Sequence, residues 1–294
     1  MVTPDPHLSR RTLLLGGAGL AGMGLLAACG SGSGKTSGGT TTSVIKLIPT
    51  DLQILLASFD HLPGSAQRVA FGLADKDNAI VTAPVVSFRF GPDEKHLGAP
   101  SKASLSTPTG GNPYYTGTFD APAPGSYILQ VTADRVSGTT PIEVVDPTAS
   151  KTPVPGRPLV STPTPTPTKP LDANPYCTRT PVCDLHAVSL DTALTMAKPI
   201  AVLFATPALC SSRFCGPMLD ILLSQQAAFG DKVQLIHVEI YKDSTGQTVL
   251  DAVRAFGFQN EPYLFLANAK GIVTERISGP FTTEDAKAAL TRLL

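Results

Sequence analysis

The chain has 294 residues, 42% of them hydrophobic, and its 23 basic side chains balance 23 acidic ones. With no basic stripe it lacks the electrostatic footprint of a nucleic-acid binder, and its length allows about two domains with ordinary cores. The 27 prolines far exceed average usage, so where they fall divides the chain.

Arg10 and Arg11 precede an uncharged run from Leu13 to Ala28. At 16 residues this run is short for a bilayer span, which needs about 20, and Gly16, Gly17, Gly19, Gly22 and Gly24 weaken it as a helix. Residues 1–28 therefore read as the charged and apolar regions of a secretory signal, followed by a Gly/Ser/Thr tether over 29–43. Ser9-Arg10-Arg11-Thr12-Leu13-Leu14 resembles the twin-arginine export motif. Leu26-Ala27-Ala28-Cys29 resembles the lipobox of bacterial lipoproteins, which implies a diacylglycerol on the Cys29 sulfur. The expected location is the outer face of the bacterial cytoplasmic membrane, with the lipid bilayer as one partner.

Residues 44–146 alternate with a period of two. Val69, Phe71 and Leu73, then Val86, Phe88 and Phe90, then Tyr127, Leu129 and Val131, are separated by turn residues and no long helical pattern. This predicts an all-β sandwich. Tyr115-Thr-Gly-Thr-Phe-Asp-Ala-Pro-Ala-Pro-Gly-Ser-Tyr127 resembles the late strands of immunoglobulin-like modules. His61 and His96 have no carboxylate or Cys cluster beside them and are expected on the surface.

Between Pro147 and Pro175, nine of 29 residues are proline. The composition predicts a semi-rigid polyproline-II spacer between two independent domains, either bare or with the threonines of Thr162-Pro-Thr-Pro-Thr-Pro-Thr168 as O-glycosylation acceptors.

Residues 176–294 change to alternating helix and strand. A helix over 189–198, with Ser189 as its cap, precedes the apolar strand Pro199–Ala205. A helix over 217–229, a strand over 233–240 and a helix over 247–256 follow. Tyr263–Ala267 and Ile272–Ile277 form a hairpin, and a helix capped by Thr283 closes the chain. The order α-β-α-β-α-β-β-α is that of the thioredoxin fold, so the expected class is multidomain: an immunoglobulin-like sandwich, then a thioredoxin-like α/β fold.

That resemblance implies a site. The thioredoxin-like superfamily places a Cys pair where the first buried strand enters its helix, and Cys210-Ser-Ser-Arg-Phe-Cys215-Gly-Pro-Met218 stands there. It also implies a cis-proline facing the pair, and Glu261-Pro262-Tyr263 matches it as a substrate-binding element. Gly271–Gly279 with Thr283-Glu-Asp285 resembles the membrane-anchored thiol–disulfide reductase branch. A Cys at a helix N-terminus with Arg213 nearby should be held as thiolate. The spacing departs from the usual C-x2-C, and two registers stay open. Either Cys210 attacks and Cys215 resolves, which is preferred, or Cys215-Gly-Pro-Met supplies the attacking thiol. The Trp usual before the first Cys is replaced by Leu209, and the buried acid of the strand by Leu203, which removes a proton acceptor.

Cys177 and Cys183 bracket a five-residue loop and read as a structural disulfide at the domain edge, with a bridge to the Cys210 site as the alternative. No metal site and no cofactor are expected, since His186 and His237 have no Met-rich or Cys-His partner. Three functions fit this pattern. The first is a thiol–disulfide oxidoreductase acting on thiols or disulfides of exported proteins. The second is a non-catalytic scaffold whose disulfides are structural. The third is a peroxidase, because Thr206-Pro-Ala-Leu-Cys210 resembles one peroxiredoxin branch, although Thr206 stands four residues before the Cys where that family has three.

Overall fold

The computed structural model describes residues 52–294; the expected export signal, Cys29 and the expected tether lie outside them. Among the described residues the chain is rich in strands, with few and short helices, and no helix is long and apolar enough to cross a membrane.

The first nine strands are β1 (Gln53–Leu56), β2 (Gly64–Ala74), β3 (Ile80–Val81), β4 (Val86–Gly91), β5 (Ser101–Lys102), β6 (Ser104–Ser106), β7 (Tyr114–Ala121), β8 (Gly125–Ala133) and β9 (Val136–Val144). They form two antiparallel sheets, ordered β1-β2-β7-β6 with β3 beside β2, and β5-β4-β8-β9. The alternating residues Val69, Phe71 and Leu73 of β2 meet Phe88, Leu129, Val131 and Ile142 in one core. Phe71 crosses Phe88 edge to face at 6.3 Å. The other face of β2 carries small residues for a separate reason. Ala70 is fully buried there with Ala57, Tyr114 and Phe214, so the second half of the chain covers that face. His61, expected on the surface, is buried against Phe119, and burial lowers its imidazole to about 4. His96 is exposed and binds Asp93.

The second half contains α1 (Leu190–Ala193), β10 (Ile200–Phe204), α2 (Cys215–Ser224), α3 (Gln226–Phe229), β11 (Gln234–Val238), α4 (Asp251–Phe256), β12 (Tyr263–Ala267), β13 (Val273–Ser278) and α5 (Thr283–Leu293). The sheet order is β11-β10-β12-β13, with β10 parallel to β11 and antiparallel to β12. Every residue of β10 and β12 is buried, because both faces of the sheet are covered. Leu203 and Leu264 pack toward Met218, Leu222 and Leu290 of α2 and α5. Val202 and Phe204 pack on the opposite face toward Phe256, Phe265 and Leu190. The helices differ in detail from the sequence expectation. α1 has a single turn, and Thr164 Oγ1 accepts the Leu190 N–H, while Ser189 makes no capping bond. The last helix is capped by Thr282 in a reciprocal box with Asp285.

The proline-rich segment is not a free spacer. Gly156 N–H donates to Val273 O and Leu159 N–H to Gly271 O, while Val273 N–H donates to Arg157 O. Val154, Leu159 and Ala173 are buried, and so are Thr162, Thr164 and Thr166. Those three hydroxyls are therefore inaccessible to a glycosyltransferase in the folded protein. The physical reason is that Pro removes backbone donors without removing apolar surface, so an extended strap can still pack its side chains into a core. The two halves are also joined directly. Phe59 N–H donates to Ser278 Oγ at 2.9 Å and Tyr263 Oη donates to Asp60 Oδ2 at 2.5 Å. Gly279, at φ +75°, lies so close that a Cβ there would fall 1.7 Å from the Ala57 carbonyl oxygen, a contact only glycine permits.

Docking of the strap carries a testable consequence. Leu159→Ala should cost about 2–5 kcal/mol, the usual range for emptying a buried leucine site, and should accelerate proteolysis within 147–175. Urea unfolding and timed digestion would check this. Rapid cleavage of the unaltered strap, before any other site, would contradict it.

Candidate redox site

The site is built where β10 ends. Thr206 to Leu209 form a turn whose Thr206 carbonyl accepts the Cys210 N–H at 3.1 Å. Cys210 is thus in the loop, and α2 begins only at Cys215, which is fully buried. Cys210 Sγ lies 3.1 Å from Ser212 Oγ. All four cysteines among the described residues are free thiols. The Cys210 thiol is lowered to about 5, first by the hydrogen bond from Cys215, then by Ser212 and by the N–H groups of Cys215 and Phe214, against the opposing effect of burial. The helix N-terminus does stabilise this thiolate, as its unpaired donors should. Arg213 is exposed, with φ +58°, and is not among the largest influences on Cys210.

Burial pushes the Cys215 thiol well up, with further contributions from Cys210 and Glu261. Its S–H points at Glu261 Oε2, 3.4 Å away. Glu261 is raised to about 8, first by burial and then by the negative charge of Cys210. The three reactive atoms lie within 4.8 Å of one another. The sequence suggested that the chain had lost its proton acceptor when Leu203 took the strand position. The structure places a carboxylate at the same sulfur from a different element. Glu261 was expected to bind substrate through its backbone, and its side chain instead faces Cys215. The Glu261–Pro262 peptide is cis and opens β12, and Pro262 O accepts the Gly279 N–H.

Cys210 opens onto a cavity of about 910 Å³ whose walls come from both halves, among them Leu55, Phe59 and Asn112 on one side and Tyr241, Phe258 and Glu261 on the other. The first half also buttresses the Cys loop itself. Asn112 Nδ2 donates to Ser212 O at 3.1 Å, and Tyr114 meets Phe214 edge to face at 5.6 Å. Thus the sandwich helps position the thiols and forms one wall of the cavity.

A second cluster lies deeper. Cys177 and Cys183 were expected as a disulfide at the edge of the domain. They are buried free thiols with sulfurs 3.8 Å apart, packed with His186 and His237 so that one donor atom from each lies within 4.8 Å of the rest. His237 comes from β11, about fifty residues after the others. From sequence, His186 and His237 were given no Cys-His partner, although Cys177-x5-Cys183-x2-His186 was a signal that could have been read. Thr178, next to Cys177, links the two places. Its Oγ1 donates to buried Glu239 Oε1 at 2.9 Å and accepts the Ala208 N–H of the Cys210 loop at 3.1 Å.

No protein-family model matches the chain, and no curated protein matches it. Among solved structures it is similar to a thiol:disulfide interchange protein DsbE from Chlorobium tepidum, at 15% identity and a TM-score of 0.35, over 48% of this chain and 99% of that one. It is also similar to the Lin-41 filamin domain, at 13% identity and a TM-score of 0.23, over 34% of this chain and 96% of the other.

Proposed function

We propose that the chain is a thiol–disulfide oxidoreductase of exported proteins, with a thioredoxin-like C-terminal half and an immunoglobulin-like N-terminal half, held outside the cytoplasm by a lipid on Cys29. The observation that carries this reading is the unequal thiol pair. Cys210 is accessible from the cavity and lowered to about 5, while Cys215 is buried, raised, and in contact with a carboxylate. A structural staple needs no such asymmetry. Exchange does, because one sulfur must attack as thiolate and leave readily while the other waits for a base.

In the reducing direction the Cys210 thiolate attacks one sulfur of a client disulfide. The client S–S bond breaks, a Cys210–client bond forms, and the other client sulfur leaves as thiolate. Glu261 then takes the Cys215 proton, and the Cys215 sulfur attacks Cys210. The mixed disulfide breaks, the second client sulfur leaves as thiolate, and the protein holds a Cys210–Cys215 disulfide. Two electrons pass from the protein to the client. The oxidising direction is the reverse. The cavity beside Cys210 would receive an extended client segment between the two halves of the protein.

The test is the reduction potential of the Cys210/Cys215 pair, measured by equilibration with glutathione. Stabilising the Cys210 thiolate stabilises the reduced form, so the potential should lie above about −300 mV. A value below this, with slow exchange, would mark an inert structural bond and remove the enzymatic reading.

A further inference from the structure

The thiol pair and Glu261 leave unexplained the buried cluster of Cys177, Cys183, His186 and His237. We propose that these four side chains form a structural zinc site. The inference does not depend on the redox reading, because it uses none of the same side chains.

The first argument is geometric. Zinc held at about 2.3 Å by sulfur and about 2.0–2.1 Å by nitrogen in a tetrahedron has S–S edges of about 3.8 Å and S–N edges of about 3.6 Å. The sulfurs here are 3.8 Å apart. His237 Nδ1 lies 3.4 Å from Cys183 Sγ and 3.9 Å from Cys177 Sγ. These are the edges of such a tetrahedron and not the contact of a covalent bond.

The second argument is polar satisfaction. His186 is 1% exposed, and neither of its ring nitrogens has a hydrogen-bond partner. Its ring stands 4.7 Å from that of His237, centroid to centroid. A buried imidazole with no partner is costly, and a Cys177–Cys183 disulfide would give it none. A cation accepting its lone pair would.

The third argument is the outer shell. Zinc-ligating histidines characteristically donate their other N–H to a carbonyl or carboxylate, which fixes tautomer and ring orientation. His237 Nε2 lies 2.9 Å from the Ala205 carbonyl oxygen, leaving Nδ1 free to face the sulfurs. Glu239 Oε1 stands 4.0 Å from that Nε2.

Two thiolates and two neutral imidazoles favour zinc among divalent ions. Binding Zn²⁺ releases the two thiol protons and leaves an uncharged centre, which suits its burial. All four positions are filled by protein, the pattern of a structural and not a catalytic ion. The site would fasten residues 177–186 onto β11. Through Thr178 and Ala208 it would also steady the loop that carries Cys210.

The experiment uses the full-length chain, purified from zinc-supplemented cells in detergent without chelator, with metal counted by elemental mass spectrometry. One zinc per chain is expected, retained in a Cys210→Ser/Cys215→Ser variant and lost in His186→Ala and in Cys183→Ser. In case those two variants do not fold, zinc-edge X-ray absorption on the unaltered protein should find two sulfur and two nitrogen neighbours. An intact mass and peptide map showing a Cys177–Cys183 disulfide would overturn the proposal. So would a reduced protein that takes up no zinc, or zinc that disappears with Cys210 and Cys215.

Discussion

Cys215→Ala should accumulate mixed disulfides with client proteins, and Cys210→Ser should accumulate none and lose exchange activity to the level of buffer. The direction follows from the order of events at the site. Cys210 is the thiol that reaches the cavity and is lowered to about 5. At pH 6 it is therefore about 90% ionised, where an unperturbed thiol near 8.5 is ionised to well under 1%. A weakly basic thiolate is intrinsically less nucleophilic, and this offsets part of the gain in attack. The same low basicity makes Cys210 a good leaving group whenever its partner sulfur is attacked, as when a client thiolate reverses the first step, whereas resolution by Cys215 expels the client sulfur. Removing Cys215 also removes the first of the hydrogen bonds that lower Cys210. The trapping variant should thus alkylate with a midpoint shifted upward from 5, still helped by Ser212 and the helix N–H groups. Rates of iodoacetamide labelling against pH, with mass spectrometry of trapped partners, would check both statements. Faster labelling of Cys215 than Cys210 would exchange their roles.

Glu261→Gln should slow resolution of the mixed disulfide by about 10²-fold or more, the ordinary contribution of a positioned base, while leaving the first attack by Cys210 intact. Glu261 is raised first by burial and then by the Cys210 thiolate. When Cys210 is tied up in a mixed disulfide that negative charge is gone, so the carboxyl becomes easier to ionise at the moment a base is needed. In single-turnover measurements the resolving rate should rise with pH up to the Glu261 midpoint, at or below 8, and the variant should lack that rise. An unchanged resolving rate in the variant would remove Glu261 from the mechanism.

Stability of the reduced protein offers a second reading of the same pair. Lowering Cys210 from 9 to about 5 makes the folded state bind fewer protons than the unfolded one between those values, which favours folding as pH rises. Raising Glu261 from 4.5 to about 8 does the opposite over 4.5 to 8. In the reduced wild type the two slopes oppose each other from about 5 to about 8. In reduced Glu261→Gln only the Cys210 slope remains, so this group's contribution should increase as pH rises from 5 to 9. Urea unfolding of both proteins across that range, relative to each other, would measure it.

The sequence alone was enough to mark most of the strands that make the cores, though not β1. Period-two alternation in residues 44–146 and unbroken apolar runs at Ile200–Phe204 and Tyr263–Ala267 report burial directly, because burial on one face or two writes itself into neighbouring residues. The roles expected of Cys210 and Cys215 and the cis peptide before Pro262 came instead from the resemblance to the thioredoxin-like superfamily, which the strand pattern only helped to align. What tertiary structure decided were the partners of buried polar groups, since those come from distant parts of the chain. Glu261 lies 46 residues beyond Cys215, and nothing local to either says that the carboxylate replaces the acid missing at Leu203. His237 joins Cys177 and Cys183 from β11, and a strand histidine looks the same whether it meets solvent, core or sulfur. Arg213 was adjacent in sequence to the thiols but turned outward, its backbone left-handed. The proline-rich strap was judged by composition, which reports the lack of backbone donors and not the presence of a groove ready for Val154 and Leu159. Local pattern records whether a residue is buried, and only the fold decides what it is buried against.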